Sequence, residues 1–157
     1  MFPEEEIKTA SNILVKNGIV AIPTETVYGL AANAFSETAI NKVFEAKNRP
    51  HFNPLIVHLK NLSAIEEVAT ISKEQLSFIS QFVPGPLTIL LPKKEVISDL
   101  VTAGSPKVAI RVPSHPIASQ LLNSLKFPLV APSANPFGYV SPTNATHVKN
   151  SLPANVA

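Results

Sequence analysis

The chain has 157 residues, 45% apolar and 15% charged, with a formal net charge of +2. That is the balance of one globular domain, long enough to bury about two thirds of its unfolded surface without covalent staples. It has no cysteine, which excludes disulfides, thiolate nucleophiles and sulfur-ligated metals. Asp99 is the only aspartate, so clustered-aspartate metal sites and aspartate-dependent triads are hard to assemble. Arg49 and Arg111 are the only arginines against eleven lysines, leaving two positions able to grip a carboxylate or phosphate with a planar fork. No apolar run reaches the roughly eighteen residues of a membrane-spanning helix. The start, Met1-Phe2-Pro3-Glu4-Glu5-Glu6, is acidic where a secretory leader is basic, so the expected location is the cytoplasm.

The pattern alternates helix and strand. Residues 4–17 read as a helix, with Pro3 near its start, glutamates in the first turn, apolar Ile7, Ala10 and Leu14, and Gly18 as a stop. Residues 19–22 form a short apolar strand. Ser36 caps a helix carrying Ile40, Val43 and Phe44 on one face. Residues 55–59 are a second strand, and Ser63…Glu66 and Ser72…Gln75 are capping boxes opening two short helices. A third strand at 87–91 follows the Pro84-Gly85-Pro86 turn, and a fourth spans 108–112. Pro116 opens a helix to about Leu125, 129–131 is a fifth strand, and Ser141-Pro142 is expected to start the last helix. Apolar strands separated by helices predict an α/β layered fold whose sheet is buried on both faces. The fifteen prolines sit almost entirely at strand ends, placing rigid polar loops where ligand sites of open α/β sheets occur.

Four polar segments are richer in functional groups than a turn requires. In 23–30, Thr24, Glu25, Thr26 and Tyr28 sit within five residues, either as a plain loop or as hydrogen-bonding and stacking groups for a small polar ligand. In 47–54, Lys47 and Arg49 are two residues apart with Pro50 forcing the chain extended: a solvated basic turn or a grip on polyphosphate. His58, mid-strand, reads alone as a core histidine more readily than as a ligand. Arg111 within an apolar strand needs a partner, either a glutamate or a ligand's carboxylate, and the ligand is favoured. In 131–143, Ser133 and Asn135 are placed to donate to phosphate or base near a helix N-terminus, while Ser141 either caps that helix or touches the nucleotide. There is no Walker loop, dinucleotide fingerprint or metal-ligand spacing.

These segments, in this order, resemble the blocks of the YrdC family: PTETVYGL at 23–30, KNRPHFNPLIVHL at 47–59, PGPLTILL at 84–91, VAIRVPSHP at 108–116 and APSANPFGYVSPT at 131–143. They cover most of residues 18 to 146, and Lys47-Asn48-Arg49 followed by Ser133-Ala134-Asn135 is the specific pairing. The resemblance implies an open, twisted, mixed sheet with flanking helices around a concave basic cleft. It implies that Lys47, Arg49, Asn53, Ser133, Asn135 and Ser141 hold ATP, with Lys47 and Arg49 also catalytic. Thr26 with Thr24 and Tyr28 nearby, His58, Arg111 and the backbone at Ala131 would hold L-threonine. The implied reaction joins L-threonine, bicarbonate and ATP into threonylcarbamoyl-AMP and pyrophosphate, with Mg²⁺ carried by ATP rather than by a protein metal site. The product would pass to a tRNA threonylcarbamoyl-transferase complex, and tRNA or double-stranded RNA is a further possible partner.

The family also carries a closing segment, roughly Glu-Ser-Thr-Ile-Val in a Gly-rich context, with no counterpart here. The chain is therefore expected to be a single YrdC-like domain, 1–157, lacking the C-terminal portion. Two alternatives stay open. One is the carbamoyl-phosphate-dependent module of hydrogenase maturation, which normally sits in a longer chain with acylphosphatase and zinc-finger regions. The other is a non-catalytic double-stranded RNA-binding module, for which a charge of +2 is weak support.

Overall fold

A computed structural model describes residues 4–153 and 156–157; Pro3, expected near the first helix start, lies outside them. In chain order the elements are α1 (Glu4–Val15), β1 (Val20–Ile22), β2 (Gly29–Asn33), α2 (Glu37–Lys47), β3 (Ile56–His58), α3 (Ile65–Val68), α4 (Lys73–Ile79), β4 (Thr88–Pro92), α5 (Asp99–Thr102), β5 (Lys107–Arg111), α6 (Pro116–Ser124), β6 (Leu129–Val130) and α7 (Ala145–Ser151). The strands form one six-stranded sheet in the order β1-β2-β6-β3-β5-β4. Pairing is antiparallel except between β3 and β5, so the sheet is mixed, as expected.

Local chemistry explains most boundaries. Ser36 accepts a bond from the Ala39 N–H at 3.3 Å, and Asn48 closes α2 in the left-handed region at φ 48°. The Ser72/Gln75 capping box is present in both directions. The Ser63 box is not: Ala64 occupies the cap of α3, and Asn61 Oδ1 instead accepts from the Ser63 hydroxyl and the Ala64 N–H. The last helix also starts later than expected. Its cap is Asn144, which accepts from the His147 N–H at 2.9 Å, while the Pro142 carbonyl is taken by the Tyr28 N–H at 2.8 Å. That tertiary bond holds residue 142 outside the helix.

Strand alternation separates two apolar layers. Leu30, Ala32, Val57, Val108, Ile110 and Val130 point to the larger core, beneath α2, α3 and α5. Val20, Ile22, Ala31, Leu129 and Ala131 point the other way, into a core closed by α1 and α6. The second face is covered only over β1, β2 and β6. On β3, β5 and β4 the same face presents Ile56, His58, Ala109, Arg111, Thr88 and Leu90, and Leu90 is 61% exposed. The expectation of a sheet buried on both faces thus fails at β4, where Thr88 and Leu90 are exposed, although His58 on β3 stays buried without a helix over it. The uncovered half is where the polar groups collect.

Candidate functional site

His58 and Arg111 end the parallel strands β3 and β5 as register partners, so their side chains share the open face. His58 is 2% exposed. Its Nδ1 lies 3.2 Å from the Ile56 carbonyl oxygen, which can only accept, so Nδ1 carries the proton and Nε2 keeps its lone pair. Burial pushes its pKa down to about 4, against an opposing contribution from that carbonyl, so the ring is neutral at pH 7.

Arg111 reaches across to the segment preceding β2. Its Nη1 donates to Thr26 Oγ1 at 3.2 Å, and its Nη2 lies 3.0 Å from Glu25 Oε1. Thr26 Oγ1 is 3.1 Å from Thr24 Oγ1, which donates to the Val27 carbonyl at 2.6 Å. The Glu25 contact is an ion pair with poor hydrogen-bond alignment: both Glu25 oxygens, and Arg111 Nε and Nη2, are buried without a well-aligned hydrogen bond. Burial raises the Glu25 pKa, but the backbone N–H groups of Glu25 and Ser114 and the Arg111 guanidinium outweigh it, and the net shift is downward. Arg111 is expected to pair with a glutamate or a ligand's carboxylate, and its carboxylate partner in this structure is Glu25. The available signal was a carboxylate in the same hydroxyl-rich segment, combined with the cost of an unpaired arginine.

The second cluster forms where α2 ends. Lys47 is 1% exposed, and its Nζ donates to the Ser133 carbonyl at 2.5 Å and to the Asn135 carbonyl. The Phe137 N–H returns a bond to the Lys47 carbonyl at 2.7 Å. One residue thus fastens the loop after β6 to the end of α2. Burial, and secondarily the Arg49 charge, pull the Lys47 pKa down to about 8. Arg49 donates to the Pro54 carbonyl at 3.1 Å and lies 5.7 Å from the Phe137 ring centroid. Its Nε, Asn53 Nδ2 and Asn135 Oδ1 are buried without partners. The Asn135 amide N–H groups are already committed to the Pro136 and Tyr139 carbonyls at 2.8 Å, so the atom left for a ligand is its oxygen, not the donor expected.

The remaining expected residues fall differently. Ala131 donates its backbone N–H to the Ile56 carbonyl at 3.1 Å, and its Cβ would meet any Cβ on Gly29 at 3.2 Å, which keeps that position glycine. Tyr28 packs against the larger core and lines two cavities with Ala21 and Ala157, neither of them lined by Arg111. Ser141 is half-buried beside the Tyr28–Pro142 bond and caps no helix. A cavity of about 800 Å³ opens beyond the ends of β3 and β5, lined by Lys60, Lys73, Val83, Val112 and Pro113. It contains none of the expected site residues. No three His, Asp or Glu side chains cluster to hold a metal among the described residues, and no helix among them is long and apolar enough to cross a membrane.

Comparison with known proteins agrees on one family. The Sua5/YciO/YrdC family model, described as "Telomere recombination", matches residues 12–157. Relatives named threonylcarbamoyl-AMP synthase include those of Pyrococcus abyssi, 45% identical over 92% of this chain and 43% of its own length, and Bacillus subtilis, 45% identical over 98% and 45%. The chain therefore spans less than half the length of these relatives. Among solved structures, P. abyssi Sua5 complexed with L-threonine superposes with a TM-score of 0.96 at 42% identity, over 100% of this chain and 46% of that one. E. coli YciO (TM-score 0.87, 21% identical, 98% and 76% covered) and full-length HypF (0.84, 23%, 97% and 24%) share the fold. With 146 consecutive residues matched by the family model, the chain belongs to the Sua5/YciO/YrdC family.

Proposed function

We propose that this chain forms the substrate cleft of a threonylcarbamoyl-AMP synthase, converting L-threonine, bicarbonate and ATP to threonylcarbamoyl-AMP and pyrophosphate. The carrying observation is the near-complete superposition on a Sua5 structure that contains L-threonine, at 42% identity. The geometry supports it: Lys47 and Arg49 lie against the loop 133–137, Arg111 against Glu25 and Thr26, and both groups keep buried polar atoms unsatisfied.

In this proposal Lys47, Arg49, Asn53, Ser133, Asn135 and Ser141 hold ATP, and Thr24, Thr26, His58, Arg111 and the Ala131 backbone hold threonine. Threonine's neutral amine attacks the bicarbonate carbon and water departs, giving a carbamate. A carbamate oxygen then attacks the α-phosphorus and pyrophosphate leaves. No protein nucleophile is required, so the chain acts by positioning and by matching charge on phosphate. Lys47 has one N–H left after its two carbonyl bonds, and Arg49 has its Nε–H. Mg²⁺ arrives with ATP and is held by phosphates and water, with the two cations taking the remaining charge. The product is consumed by tRNA threonylcarbamoyl transfer in the cytoplasm.

The test is ATP conversion to AMP and pyrophosphate under omission of each co-substrate. Turnover should require both L-threonine and bicarbonate. Equal turnover with carbamoyl phosphate replacing both would instead favour the hydrogenase-maturation chemistry.

A further inference from the structure

The Arg111 guanidinium meets Thr26 on one side and Glu25 on the other. Nη1 is used by Thr26, whereas Nε and Nη2, which share an edge and can grip a carboxylate with two parallel bonds, are buried without a well-aligned hydrogen bond. Facing them is Glu25, whose two oxygens are likewise buried and without a well-aligned hydrogen bond, 3.0 Å from Nη2 at the nearer one. Both side chains are largely withdrawn from solvent, at 10% and 17% exposure. A structural ion pair at this depth is normally completed by hydrogen bonds on both partners, because charge attraction alone does not repay desolvation. Here the Glu25 contacts with its own N–H, the Ser114 N–H and Arg111 are poorly aligned, and Arg111 Nε has no partner.

A free α-amino acid carries the complement of both: a carboxylate for the Nε–Nη2 edge and an ammonium for the glutamate. We infer that Glu25 is the residue that recognises the substrate's α-amino group, exchanging its resting contact with Arg111 for a contact with the ligand's ammonium while Arg111 takes the ligand's carboxylate. This rests on the threonine pocket proposed above and adds to it a specificity-determining residue. Glu25 thereby selects ligands with a free α-amine, the group that must later form the carbamate.

The experiment is an NMR titration of the 157-residue chain with L-threonine and with 2,3-dihydroxybutanoate, in which a hydroxyl replaces the amine. Wild type, Glu25→Gln and Glu25→Asp are compared, and ATP affinity in the same samples reports the fold of each variant. Wild type should prefer threonine by about tenfold or more, the size expected for one charged hydrogen-bonded contact. Glu25→Gln should lose that preference by weakening threonine alone, and Glu25→Asp should keep most of it. Equal weakening of both ligands would show that Glu25 merely positions Arg111, and tighter threonine binding by Glu25→Gln would show that it only competes for Arg111. Either result overturns the proposal, as does Glu25→Asp behaving like Glu25→Gln. A wild-type chain that binds ATP but neither small ligand overturns the threonine pocket itself.

Discussion

Lys47→Met removes the two bonds that fasten the loop after β6 to the end of α2, at nearly constant side-chain length. Each is a charge-assisted bond to a backbone carbonyl, worth about 1.5–3 kcal/mol, so together about 3–6 kcal/mol is lost. The thioether also avoids burying an ammonium, a cost visible in the pKa pulled down to about 8. That gain offsets part of the loss, and the expected net is destabilisation by about 2 kcal/mol. For a chain of this size it corresponds to a melting temperature lower by roughly 4–8 °C. The pH dependence carries a second signature. Between about pH 8 and the unfolded value of 10.5 the native lysine binds fewer protons than the unfolded one, so stability gains a component that rises with pH. Thermal unfolding of both proteins from pH 7 to 10 should show the variant melting lower at pH 7 and the gap widening above pH 8. A variant as stable as wild type at pH 7, or a gap that narrows with alkalinity, would refute the anchoring role.

His58 gives the opposite end of the pH scale: its folded pKa of about 4 lies below the ordinary 6.5, so its contribution is present above pH 6.5 and lost as pH falls toward 4. The full effect is about 3 kcal/mol, and urea midpoints at pH 4.5 and 7 should differ less in His58→Gln than in wild type. Arg49→Ala should weaken ATP binding more than tenfold with threonine little changed, and Arg111→Ala the reverse, read by calorimetric titration; loss of ATP alone in both variants would contradict the division. Asn144→Ala should cost about 1 kcal/mol of stability as a lost helix cap. Ser141→Ala, which removes no cap, should leave the melting temperature within a degree or so and lower nucleotide affinity instead.

What was legible in the sequence was chemistry that acts locally. The Ser36 and Ser72 caps, the Pro116 helix start and the apolar strands at 108–112 and 55–59 rest on neighbours a few residues away, and they appear in the fold. What was missed depends on distant partners. The strand Gly29–Asn33 contains no β-branched residue, and it is a strand because β1 and β6 pair with it on both sides. Ser141-Pro142 has the form of a helix start, but Tyr28 claims the Pro142 carbonyl from across the fold. Lys47 reads as part of a solvated basic turn or of a polyphosphate grip, and its burial follows from carbonyls 86 and 88 residues away. Arg111 needed a carboxylate, but only the folding of the 23–30 segment over the sheet identifies Glu25 as that partner.

The most direct test of the proposed chemistry is the mass of the product. The chain is incubated with ATP, Mg²⁺, L-threonine and ¹³C-bicarbonate, and the nucleotide products are separated and weighed. The account predicts a nucleotide with the mass of threonylcarbamoyl-AMP, heavier by one mass unit than that from unlabelled bicarbonate and absent when threonine is omitted. A labelled carbamoyl adenylate lacking threonine, or an adenylated threonine carrying no label, would contradict it.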